Sequence, residues 1–95
     1  MGYLSNKDAV EYINSLEEFV ASNTMGVWLY NNYFVFSYGE IIGFNDRSKW
    51  YVNDGYYSQT TSRHRSAFFK NMSEDKKVHL DMEAFSSLLK ERGIK

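Results

Sequence analysis

Between Met25 and Asn53 the chain is a succession of short β-rich runs broken by residues that suit tight turns. Met25–Tyr30 and Tyr33–Ser37 flank Asn31-Asn32, Glu40–Phe44 follows a Ser37-Tyr38-Gly39 bend, and Trp50–Asn53 follows the polar Asn45–Lys49. Aromatic and β-branched residues pack well on a pleated surface, and asparagine tolerates the positive φ that a two-residue hairpin turn needs. Turns this tight join antiparallel neighbours, so the pattern predicts an antiparallel meander of about four to five strands. The fifth is a short piece at Tyr56–Ser58, after the Asp54-Gly55 turn signal.

With Asn31-Asn32 as the turn, Tyr30 opposes Tyr33, Leu29 opposes Phe34 and Val27 opposes Phe36. That register sends Val27, Leu29, Phe34 and Phe36 to the core. The other face, with Trp28, Tyr30, Tyr33 and Val35, is also largely apolar, and is either covered by a helix or offered to a partner.

Helical signals flank the meander. Ala9, Tyr12, Ile13, Leu16, Phe19 and Val20 recur at three- and four-residue steps, which predicts an amphipathic helix over about residues 6–21 with Ser5 or Asn6 as its cap. Thr60, Thr61 or Ser62 caps a second helix running to about Met72. Asp81 caps a third, with Phe85, Leu88 and Leu89 as its apolar stripe and Gly93 as its stop. Ninety-five residues make one domain. The expected fold class is therefore α+β: an N-terminal helix, the meander, and two C-terminal helices packed on the sheet, with the helices segregated onto one face.

Composition narrows the chemistry. The absence of cysteine removes disulfides, thiolate nucleophiles and cysteine metal sites. The N-terminus has no basic segment leading into an apolar run, and no stretch approaches membrane-spanning length, so the chain reads as soluble, intracellular and without a membrane partner. The net charge of -1 hides an asymmetry. Residues 1–46 carry one lysine against six Asp/Glu, and residues 47–95 carry ten Lys/Arg against six Asp/Glu. Such a split suits a dipolar surface.

Phe36-Ser-Tyr-Gly39, Ile41-Ile42, Trp50-Tyr-Val-Asn53 and Tyr57-Ser-Gln-Thr-Thr-Ser-Arg-His64 together resemble a family of small proteins found mainly in bacteriophages and bacteria. The family pattern is a Ser-Tyr-Gly bend, an isoleucine, an aromatic strand and a Tyr-Ser-x-Thr-Thr-Ser-Lys/Arg-His segment. The likeness covers roughly residues 33–66, with Arg63 standing where lysine is commoner. It implies a phage or mobile-element origin and brings no activity or catalytic residues with it.

Thr60, Thr61, Arg63, His64 and Arg65 form the anion-binding candidate. Free N–H groups at a helix start, neighbouring hydroxyls and two guanidinium groups suit a phosphate or a carboxylate. The same residues also suit plain helix capping, and the glycine-rich cradle of a phosphate loop is missing. No Asp, Glu or second His stands at a telling spacing from His64, which argues against a hydrolytic centre there and against a metal site.

Trp28, Tyr30, Tyr33, Trp50 and Tyr56 form the partner-binding candidate, since Tyr and Trp are enriched at interfaces and 18% of the chain is aromatic. Few cations interleave these rings, so a protein partner is favoured over nucleic acid. The expected function is a small non-catalytic binding protein with no cofactor, phage-encoded, acting in the host bacterial cytoplasm. It inhibits or modulates a host protein or complex by occupancy, with bacterial immunity such as CRISPR as one target class. The alternative is a nucleotide or nucleic-acid binder using the Thr60–Arg65 helix start. No residue pattern sets the oligomeric state.

Overall fold

The computed structural model describes residues 6–21, 23–55, 68–69, 72 and 74–93. Helix α1 (Asn6–Asn14) leads into β1 (Phe19–Val20), β2 (Thr24–Leu29), β3 (Asn32–Ser37), β4 (Glu40–Asn45) and β5 (Trp50–Asn53). A 3-10 turn (Glu74–Lys76), β6 (Lys77–Leu80) and α2 (Met82–Glu91) complete the described elements. The described strands form one six-stranded sheet in chain order. β1 to β5 are antiparallel neighbours, and β6 runs parallel to β5. The α+β class holds. The meander is longer than expected because β1 precedes it, and it ends in a parallel strand that needs a crossover. Phe68 and Phe69, helical and buried, lie in that crossover. Tyr56–Ser58 and most of the expected second helix lie outside the described residues.

α1 stops at Asn14 instead of reaching residue 21. Leu16 takes φ 55°, and the N–H groups of Leu16 and Glu17 turn back to the carbonyls of Ile13 and Tyr12 at 3.1 and 2.8 Å. These paired bonds close a helix through a left-handed residue. Phe19 then enters β1 yet joins the same core as Ala9 and Ile13. Helical spacing therefore fitted residues that lie partly on a strand.

The β2–β3 turn is Tyr30-Asn31, with φ 52° and 64°, one residue earlier than expected. Trp28 opposes Tyr33, Val27 opposes Phe34 and Met25 opposes Phe36. This register lets the Tyr33 ring cross Gly26, where a Cβ would overlap both the Tyr33 hydroxyl and the Phe19 ring. Leu29, expected in the core, is exposed at the hairpin end, while Leu16 and Phe36 are only partly buried.

Both faces of the sheet are apolar, and each has its own cover. Tyr33, Val35, Ile42, Trp50 and Val52 pack with α1 and with Phe68 and Phe69. Phe34 and Phe44 pack with Phe85 of α2. The helices are thus not segregated onto one face, because the run Tyr33-Phe34-Val35-Phe36 sends large side chains both ways. A register slip between Val35 and Phe36 lets Ile42 join the first core while Gly43 lies under the Phe69 ring. Asp81 caps α2 as expected, accepting from the Ala84 N–H at 2.8 Å, and Gly93 follows at φ 76°.

Candidate functional site

Three of the five expected partner-binding aromatics do come together, but inside the molecule. The Trp28 and Tyr33 rings meet edge-on at 5.5 Å, and Tyr33 and Trp50 at 6.0 Å. Trp50 in turn packs on Phe69 at 5.3 Å. Tyr33 is fully buried and Trp50 nearly so, which corrects their assignment to a contact surface. Two of these rings also tie their polar tips to internal acceptors. The Tyr33 hydroxyl donates to the Glu17 carbonyl at 2.5 Å, and the Trp28 indole N–H to the Leu16 carbonyl at 2.9 Å. Burial, with the negative charges of Glu18 and Glu17 nearby, pushes the Tyr33 hydroxyl well above the ordinary tyrosine range. Trp28 stays half-buried, with the Arg47 guanidinium 5.0 Å from its ring centroid. Tyr30 is exposed in the hairpin turn. Tyr56 lies outside the described residues, as do Thr60, Thr61, Arg63, His64 and Arg65.

The parallel pairing of β5 and β6 assembles a contact that sequence spacing did not reveal. Val52 pairs with His79, and the chain leaving β5 brings Asp54 within 2.8 Å of the His79 Nδ1. Both side chains are about two-fifths exposed. A carboxylate on Nδ1 can fix the orientation of an imidazole ring. Among the described residues no group of three His, Cys, Asp or Glu side chains is placed to hold a metal ion.

Arg92 straps the end of α2 to the sheet. Its guanidinium donates to Asp46 at 2.9 Å and to the Tyr51 hydroxyl at 3.2 Å, and lies 4.9 and 5.6 Å from the Tyr51 and Phe44 ring centroids. Burial works to raise the Asp46 carboxyl, but the Lys49 N–H, Arg92 and the Ser48 N–H together hold it below the ordinary range. This cluster is closed on itself and serves packing.

Open apolar surface lies elsewhere. Across β1 to β4, Val20 opposes Met25, Met25 opposes Phe36 and Phe36 opposes Ile41. Opposed residues share a face, and this row lies on the α2 side of the sheet. Val20 and Met25 are 54% and 36% exposed, and Tyr38, 56% exposed, stands at the β3–β4 turn. A shallow, mostly apolar groove of about 270 Å³ runs between Val20, Met25, Phe36 and Tyr38. Among the described residues no helix is long and apolar enough to cross a membrane.

The profile of a family of unknown function, DUF8033, matches residues 5–85. The chain belongs to DUF8033. The DUF8033 span takes in α1, all the described strands and the cap and first turn of α2, so the groove, the aromatic core and the His79–Asp54 contact fall inside it, and Arg92 falls beyond it. No curated protein and no solved structure matches the chain.

Proposed function

We propose that this DUF8033 chain is a small, non-catalytic binding protein that acts by occupying a partner protein. The carrying observation is the exposed apolar row through Val20 and Met25, which remains on a sheet face that α2 covers only in part. Exposed apolar patches of this kind mark interaction sites on soluble domains. The acidic balance of residues 1–46 weighs against a phosphate backbone as the ligand of this surface. Its resemblance to phage proteins extends the reading: a phage-encoded factor directed at a host protein in the bacterial cytoplasm, with a CRISPR nuclease or another defence complex as the target class. Affinity capture from bacterial lysate, with and without nuclease, tests it. A stoichiometric protein partner retained after nuclease supports the reading. Capture that nuclease abolishes favours the competing anion-binding role of Thr60–Arg65.

A further inference from the structure

The width of the sheet leaves room for one more element on the α2 face. Six strands about 4.8 Å apart span roughly 24 Å, while one helix with its side chains covers roughly 10 Å. α2 takes its share through Phe85, which packs with Phe34 and Phe44, and through Leu88 and Leu89 beside it. Among the described residues the remaining strip, over β1 and β2 and the adjoining part of β3, carries Val20, Met25, Val27, Leu29 and Phe36, and no described helix lies over it. It is about as wide as a helix, and its side chains alternate along β2 at strand spacing.

Charge selects the occupant. No lysine or arginine occurs between Lys7 and Arg47, whereas Glu17 and Glu18 stand just before β1. Glu18 is fixed at the β2 edge, where its carboxylate accepts from the Trp28 N–H at 2.9 Å. Glu40, opposite Ser37, points to the other face and takes no part in this flank. Arg47 lies over Trp28, on the opposite face of the sheet. An apolar strip with an anionic flank complements an apolar stripe with a cationic flank, and repels nucleic acid and anionic membranes.

We propose that the open strip over β1, β2 and β3 docks a basic amphipathic helix of a partner protein. The proposal rests on the reading of the chain as a protein binder and names the surface and the chemistry of its partner. The helix lays its apolar stripe along Met25, Val27 and Leu29, with Phe36 and Val20 to either side, and its cations reach Glu18 at the β1–β2 end of the strip.

Two synthetic amphipathic peptides with the same leucine stripe, one flanked by lysine and one by glutamate, provide the probe. The lysine peptide should bind saturably at one per chain and shift the methyl resonances of Val20, Met25 and Val27. The glutamate peptide and a Val20→Ser/Met25→Ser variant should each bind at least about tenfold more weakly, a difference of about 1.4 kcal/mol. Lysine-peptide binding that is equal in wild type and variant reflects charge alone and overturns the proposal. So does a wild-type dimer, seen by sedimentation, that the double variant dissolves, because the strip is then occupied by a second copy. Lysate capture separates this proposal from the broader reading. If the double variant still captures the wild type's nuclease-resistant partner, the binder reading stands and this surface falls. If the wild type captures no such partner, the binder reading itself falls.

Discussion

The Tyr33 ring lies across Gly26, and that contact sets the register of the central hairpin. It needs a residue without a side chain at position 26 and a hydroxyl acceptor beyond it, which the Glu17 carbonyl supplies at 2.5 Å. Tyr33→Phe should lower stability by about 1 kcal/mol, the usual worth of a hydrogen bond. Gly26→Ala should cost about 1–3 kcal/mol through overpacking against the tyrosine hydroxyl and the Phe19 ring. Urea melts of both variants check this.

The same hydroxyl makes an alkaline prediction. Its folded value lies above the ordinary tyrosine value of 10.0 because burial disfavours the phenolate and Glu18 and Glu17 repel it. A raised value favours the protonated native state. This contribution is therefore fully present below pH 10.0 and is lost as pH rises through the folded value. Wild type should lose stability above that pH more steeply than Tyr33→Phe, measured by denaturant midpoints along a pH series.

Leu29 separates the observed register from the expected one, whereas Phe34 faces a core in both. Phe34 is 1% exposed and packs on Phe44 at 5.5 Å, whereas Leu29 is 45% exposed. Phe34→Ala should destabilise by about 3–5 kcal/mol, and Leu29→Ala should stay within about 0.5 kcal/mol of wild type. A large loss at Leu29 would restore the Asn31-Asn32 turn.

Local structure is legible in the sequence where one physical cause dominates. Asp81 caps α2 through its carboxylate, Tyr38-Gly39 makes the β3–β4 turn, and Glu40, Ile41 and Phe44 lie on a strand. Register was not legible because moving the turn by one residue changes the pairing by two and leaves Val27, Leu29, Phe34 and Phe36 on one face either way, so the apolar pattern cannot choose. Nor was the end of α1, since Phe19 and Ala9 share a core whichever element carries Phe19. The His79–Asp54 contact arises from a parallel pairing across a crossover, for which short-range spacing holds no signal. Tyr33 and Trp50 have the size and chemistry of contact residues, but internal packing and the Glu17 carbonyl claim them first.

Arg92 offers an acidic counterpart to the alkaline prediction. Asp46 is held below its ordinary value of 3.8, so its contribution is present above that pH and is lost as pH falls through the lower folded value. Arg92→Ala should cost about 1 kcal/mol or less at neutral pH, given the partial exposure of the pair. The gap from wild type should narrow as pH drops below 3.8. A gap that does not change with pH would assign the effect to stacking on Tyr51 and Phe44 alone.

Action by occupancy is the central claim, and titration of a captured partner tests it most directly. Purified chain is added to the partner while the partner's activity and intact mass are followed together. Occupancy predicts that the effect saturates at a fixed molar ratio, reverses on dilution and leaves the partner's mass unchanged. A full effect at a small fraction of that ratio, accompanied by a change in the partner's mass, would show turnover and contradict the account.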